Sequence, residues 1–227
     1  MHVHSTFSDG KGSVRENISR SEQRGLVRLG CVDHVRQDTK WLYEFVEHIK
    51  SESKHTDIEI WAGVEAKILD TQGTLDVPHN VYLADKIYAA DHQFPFPAGC
   101  AKPYEVRKML QTGILSKTNA IEILLEATSN VIERYENVVL AHLFSILRKI
   151  RISEDEVPAS ALKSLAALAK AKGALIEIDE RWKCPATRTL EFFRDADVPI
   201  LISSDSHKPD TIGLYSYNLK VAAELSR

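Results

Sequence analysis

Short apolar runs, each closed by a histidine or a carboxylate, recur along this chain and constrain its fold more than any other feature. Leu29 to Val32 ends at Asp33-His34, Ile58 to Val64 at Glu65, Lys86 to Ala90 at Asp91-His92, and Val138 to Ala141 at His142. Pro199 to Ile202 leads into Ser203-Ser204-Asp205-Ser206-His207. Such runs, rich in β-branched and apolar residues and bounded by polar clusters, predict strands. Polar side chains scattered over a whole sequence, each delivered by a strand end, can meet only where strands converge. Convergence of strand ends on one pocket is the geometry of a barrel.

The segments between the runs predict helices. Ser13 and Glu16 form a capping box ahead of a helix that Gly25 ends. Thr39 to Glu52 carries an apolar stripe at Leu42, Phe45, Val46 and Ile49. Further helices are predicted over Tyr104 to Glu136, broken near Gly113 to Lys117, and over Pro158 to Lys172, stopped at Gly173. Thr187 to Ala196 and Asp210 to Ser226 complete the set. Pro95, Pro97, Gly99 and Pro103 predict a loop, whose Phe94 and Phe96 either wall a pocket or pack the loop down. With Met1 to His4 and Ala174 to Ile178 added, the strands number seven. Alternating strands and helices imply right-handed crossovers and a parallel sheet buried on both faces. Because candidate ligands lie at both ends of the chain, closure into an α/β barrel is expected over an open sheet.

A chain of 227 residues suits one sizeable core, so a single domain over 1–227 is expected. Hydrophobic residues make up 44% and charged residues 27%, and no apolar run approaches the ~18 residues that span a bilayer. MHVHSTFSDG has neither a basic nor an apolar leader region, which makes the cytoplasm the expected compartment. Cys31, Cys100 and Cys184 are odd in number and widely spaced, which argues against a disulfide framework and against a cysteine zinc site. A formal net charge of -3 and the lack of a basic block give no general attraction to nucleic acid or to an anionic membrane.

Nine residues are candidate metal ligands. His2 and His4, two apart on a strand, project from one face; two surface histidines would give the same motif. Asp9 lies in a Ser-Asp-Gly turn, where Asp is also a good turn former. His34 follows Asp33, which can orient an imidazole or simply make a turn. Glu65 offers two oxygens and can bridge two cations. His92 and His142 close their strands, a place where a lone histidine is more often a hydrogen-bonded core residue. Asp205 and His207 sit at one strand exit. Each is weak alone, and their shared strand-end position multiplies them. His48, His55 and His79 close no strand and are expected on the surface.

These motifs resemble the polymerase and histidinol phosphatase (PHP) family of metal-dependent phosphoesterases. The match lies in His2-x-His4 with Asp9 in HVHSTFSDG, His34 in VDH, Glu65 in GVE, His92, His142 in LAH, and Asp205-x-His207 in SSDSH. The resemblance implies a distorted seven-stranded (β/α)7 barrel of PHP type and three metal ions, divalent or trivalent, of Zn, Mn or Fe. By the family's pattern His2, His4, Glu65 and Asp205 hold the first. Glu65, His92 and His142 hold the second, and Asp9, His34 and His207 the third. A metal-bridging hydroxide held by Glu65, His92 and Asp205 is the implied nucleophile. Family members carry several residues before the H-x-H where this chain has Met1 alone: either upstream residues are missing from this chain or the barrel begins with a stub that leaves His2 near a fraying terminus, and the first metal is the one expected to be least secure.

The expected reaction is hydrolysis of a small phosphorylated metabolite, a phosphomonoester. Arg36, just after His34, and Arg181, just after the strand at Ala174 to Ile178, are candidate phosphate ligands; each could equally be a solvated loop arginine. Lys102 and Lys208 are weaker candidates of the same kind. Activity on nucleotides or oligonucleotides, such as exonucleolytic trimming, is the alternative, and the acidic net charge weighs against a long polynucleotide. A catalytically silent metal-binding module is a third reading. A full set of nine ligands speaks against it.

Overall fold

The computed structural model describes residues 2–226. Seven parallel strands form its main sheet: β1 (His2–Val3), β2 (Arg28–His34), β3 (Glu59–Lys67), β4 (Lys86–Ala90), β7 (Val138–Ala141), β8 (Leu175–Asp179) and β9 (Ile200–Ser203), paired in that order. β5 (Phe94–Phe96) and β6 (Gly99–Ala101) make a separate antiparallel hairpin. A parallel bridge between Val3 and Ser206 closes the ring, and the His4 N–H donates to the Ser206 carbonyl at 2.9 Å. The expected seven-stranded (β/α) barrel is therefore the fold found.

Helices α1 (Val14–Gln23), α2 (Leu42–Glu52), α3 (Pro103–Gln111), α4 (Lys117–Arg134), α5 (Ser145–Lys149), α6 (Ala159–Lys172), α7 (Thr187–Asp195) and α8 (Tyr217–Leu225) lie between and after the strands. Ser13 caps α1 as the sequence predicts: its hydroxyl accepts the Glu16 N–H while the Glu16 carboxylate accepts the Ser13 N–H. Gly173 ends α6 in the left-handed region that glycine adopts without strain.

Alternation along the strands divides the apolar residues between two faces. Ile87, Ala89, Val138, Leu140, Ile176 and Ile178 face outward and join the helices in the large core. Val32, Tyr88, Ala90, Val139 and Ala141 form a second, smaller cluster inside the ring, with Leu175 and Leu201 against it. The Tyr88 hydroxyl accepts the Trp61 indole N–H at 3.0 Å, so the one polar atom of this large ring is satisfied. Gly63 makes room for it, since a Cβ there would stand 3.0 Å from the Tyr88 ring and 2.9 Å from Val32.

Three segments differ from the sequence reading. The proline-rich stretch after His92 pairs as the β5–β6 hairpin instead of forming a loop. Its prolines are tolerated because a two-stranded ribbon is all edge. The predicted terminal helix from Asp210 is only a 3-10 turn at Pro209–Thr211 followed by α8, because Gly213 takes a φ of 72° and interrupts it. The short α5, directly after His142, carries too few residues to show a periodic stripe.

Candidate metal centre

The two-residue period of the strands also positions the polar residues. Val32 and Tyr88 fill the interior with Leu201 against them, and the same face of β2 carries His34 two residues beyond Val32, while His92 and Asp205 follow the last residues of β4 and β9 by two. Glu65 stands beside His34 in the β2–β3 register and beside Tyr88 in the β3–β4 register, so it lies at the middle of this layer. An apolar plug below and a polar layer above is the usual division of a barrel interior.

Glu65 is buried and its two oxygens face different histidines. Oε1 lies 2.8 Å from His142 Nε2 and 3.1 Å from His92 Nε2. Oε2 lies 3.0 Å from His34 Nδ1, 3.4 Å from His4 Nε2 and 3.7 Å from His2 Nε2. Asp205 Oδ1 is 3.0 Å from His4 Nε2 and 3.4 Å from His207 Nδ1. Asp9 Oδ1 reaches His207 Nε2 at 3.3 Å and His34 Nε2 at 3.6 Å. All nine sequence-predicted ligands are thus drawn into one connected group. Three subsets place their donor atoms within 4.8 Å of one another: His4 with Asp9, His34 and His207; His2 with His4 and Asp205; His34 with Glu65 and His92. His4 and His34 each belong to two of these subsets, a sharing absent from the grouping that the family pattern implies.

The donor set fits bound cations. Among the described residues, the buried atoms His4 Nδ1, Glu65 Oε2 and Asp205 Oδ1 have no hydrogen-bond partner, although a buried polar atom is ordinarily paired. His2 Nε2 and His4 Nε2 face each other at 3.0 Å. Imidazole and carboxylate lone pairs converging in this way suit Zn, Mn or Fe, all of which accept such ligands.

The cluster strains the protonation of its own members. Burial works against charge on His2, but Glu177, Glu65 and Asp205 outweigh it and raise its pKa to about 9. Burial lowers His4 to about 4, with the neighbouring His2 charge adding to the effect against Asp205 and Glu65. One imidazole holds a proton and the next gives it up, as expected of close titrating pairs. Burial disfavours the Glu65 carboxylate, yet His92, His142 and His34 hold its pKa well below the usual carboxylate range. His4 and His2 do the same for Asp205 against its burial.

Several supporting groups escape the sequence reading. Glu177, fully buried on β8, accepts the His142 backbone N–H at 2.9 Å through Oε1, while Oε2 faces His2 Nδ1 at 3.3 Å. A lone glutamate in the run Leu-Ile-Glu-Ile is the signal that could have found it. Asp91 stands 3.6 Å from His142 Nδ1, and the Trp182 indole N–H donates to Asp205 Oδ2 at 3.0 Å. Asp33 serves the backbone rather than an imidazole: it accepts from the Ser5 N–H at 2.9 Å, the Ser5 hydroxyl at 2.6 Å and the Ser8 N–H at 3.2 Å, tying down the turn that carries Asp9.

Arg181 Nη1 lies 2.6 Å from His207 Nδ1 and 3.5 Å from Asp205 Oδ2. Arg36 is exposed and lines a cleft of about 630 Å³ together with Asp9, His34, Glu65, Lys67 and His92. Lys208 lines an adjoining depression with Arg181 and His207, whereas Lys102 sits at the start of α3 and lines neither. Phe94 and Phe96 lie with ring centroids 4.8 Å apart and planes tilted by 54°, and pack the hairpin into the core instead of walling the cleft. His55 and His79 are exposed, and His48 is half-buried, its ring 6.2 Å from that of Phe7. No helix among the described residues is long and apolar enough to cross a membrane.

Comparison with known proteins agrees with this geometry. The DNA polymerase/3'-5' exonuclease PolX of Bacillus subtilis (strain 168) is 28% identical over 160 residues, which cover 66% of this chain and 27% of that protein. The chain thus spans about a quarter of the length of that relative. The structure of histidinol phosphate phosphatase from Lactococcus lactis subsp. lactis Il1403, complexed with zinc, L-histidinol and phosphate, superposes with a TM-score of 0.66. The match covers 99% of this chain and 90% of that one at 18% identity, a likeness of fold. The PHP domain matches residues 1–181, and the chain belongs to the PHP domain family.

Proposed function

We propose that this chain hydrolyses small phosphomonoesters at a polynuclear metal centre held by His2, His4, Asp9, His34, Glu65, His92, His142, Asp205 and His207. The observation that carries the reading is the division of Glu65, whose Oε1 serves His92 and His142 while Oε2 serves His2, His4 and His34. A carboxylate so placed suits a bridge between neighbouring cations. Three subsets of donors support three ions, of Zn, Mn or Fe. When bound, the ions supply Lewis acidity and lower the pKa of water toward ~7.

The chain's own residues supply position and charge. Glu177 holds the ring of His2 through Nδ1, so that Nε2 is turned to the centre, and Asp91 places a negative charge 3.6 Å from His142 Nδ1. Trp182 holds Asp205 Oδ2 and leaves Oδ1 free to face His4. Arg181 stands against the ligand layer and Arg36 at the cleft rim, where both can receive phosphoryl oxygens.

A second reading, hydrolysis of nucleotides or short oligonucleotides, is favoured by the resemblance to a protein described as a 3'-5' exonuclease. One experiment separates the readings. Purified protein is analysed for metals, reconstituted in turn with Zn, Mn and Fe, and assayed against p-nitrophenyl phosphate, a panel of metabolite phosphomonoesters and dinucleotides. Turnover of monoesters above dinucleotides is expected. Full metal content with no turnover of any ester would instead identify a silent metal-binding module.

A further inference from the structure

Lys67 follows Glu65 by two residues on β3, so the two side chains leave the same face of the barrel. Ala66 and Ile68 on either side are buried in the outer core. Lys67 lines the cleft that holds Asp9, His34, Glu65 and His92. Its side chain keeps 28% exposure, and the ion pair it makes with Asp76 Oδ2 is 3.8 Å long, beyond hydrogen-bond reach. Asp76 is itself fixed, because Oδ1 accepts the Gln37 N–H at 3.0 Å. Lys67 thus lines the cleft with an ammonium that has no hydrogen-bond partner among the described residues.

Arg181 occupies a different place, against Asp205 and His207 in the adjoining depression. With Arg181, Arg36 and the metal ligands serving the reacting phosphoryl group, Lys67 is the remaining lysine or arginine in the lining of the cleft and is left for the rest of the substrate. Its charge is already partly balanced by Asp76, which suits a single negative charge better than a dianion.

We propose that Lys67 recognises a carboxylate on the leaving group, so that the preferred substrates are phosphomonoesters of acidic metabolites. The proposal rests on the phosphoesterase reading above and deepens it. Lys67 acts in specificity and touches no reacting atom.

The test is calorimetric binding of phosphonates, whose carbon–phosphorus bond this chemistry does not cleave, to metal-reconstituted protein. ω-Phosphonocarboxylates with two to four methylenes are compared with alkylphosphonates of equal length. At least one length is expected to bind the wild type about tenfold more tightly when it carries the carboxylate, the strength of one charge-assisted hydrogen bond. Lys67→Met should erase that preference and leave the alkylphosphonate affinity unchanged, and Lys67→Arg should retain it. Equal affinities at every length in the wild type would overturn the proposal, as would a preference that survives in Lys67→Met or a loss there that is equal for both ligand types. Turnover of p-nitrophenyl phosphate, measured alongside, reports on the hydrolytic reading alone. Its absence with the carboxylate preference intact would sink hydrolysis and leave Lys67 as a ligand-binding residue.

Discussion

Glu177 Oε2 and His2 Nδ1, on fully buried side chains 175 positions apart, meet at 3.3 Å inside the barrel. A carboxylate at that nitrogen keeps a proton on Nδ1, so that Nε2, which faces His4 and Glu65, is the nitrogen that yields its proton to a cation. An amide in its place can present an N–H instead and favour the other tautomer. Glu177→Gln is therefore expected to weaken metal binding by about 10–100-fold with the fold preserved. Competition against a chromophoric chelator measures the first and circular dichroism the second. Unaltered affinity would leave Glu177 with a packing role only.

Glu65 faces five histidines, His92 and His142 through Oε1 and His2, His4 and His34 through Oε2. Glu65→Gln, or His207→Ala at the opposite side of the cluster, should reduce phosphatase activity by more than about 100-fold, beyond what loss of an outer partner costs. Both variants should unfold at temperatures near that of the wild type when all are stripped of metal. Full activity in either would remove these residues from the centre.

The raised pKa of His2, about 9 against 6.5, has a definite sign. In metal-free protein the stabilisation it brings is fully present below about pH 6.5 and is lost as pH rises through 9. A cation at Nε2 must also displace a proton, so affinity should rise between pH 7 and 9 by up to about tenfold per unit for one proton released. Thermal melts of chelated protein at the two pH values, and titrations in buffers of different protonation enthalpy, read both effects. A flat affinity over this range would contradict the protonation of His2.

Arg36 lines the cleft without touching the ligand layer, so its contribution should be equal in ground and transition states. Arg36→Ala is expected to raise KM for a phosphomonoester by about 3–10-fold at nearly constant kcat, the pattern of lost uniform binding. An unchanged KM would make it a solvated loop residue.

Asp33 holds the turn of residues 5–8 through the backbone and hydroxyl groups of Ser5 and Ser8. Asp33→Ala strands buried donors and should destabilise the protein by about 3 kcal/mol, the scale of hydrogen bonds to a charged group. Urea unfolding measures the loss, and activity should fall with it because Asp9 rides on the same turn. A change under about 0.5 kcal/mol, typical of an uninvolved surface site, would show that the turn holds itself.

What the sequence alone determined was local. Apolar runs, their period of two and the polar residue closing each run marked the strands and put His34, His92, His142 and Asp205 at or just beyond their ends, whereas β3 runs two residues past Glu65 to Lys67. The capping box at Ser13 and the stop at Gly173 were legible for the same reason, since each depends on neighbours within a turn or two of chain. The tertiary structure decided what depends on closure of the ring. Only the bridge from Val3 to Ser206 brings His2 and His4 to Asp205, and only the β8 position next to β7 sets Glu177 beneath both His2 and His142. Which oxygen of Glu65 serves which histidine, and that Lys67 opens on the cleft while Asp33 turns to the backbone, are fixed by distances across the barrel. No periodicity along the chain encodes those distances.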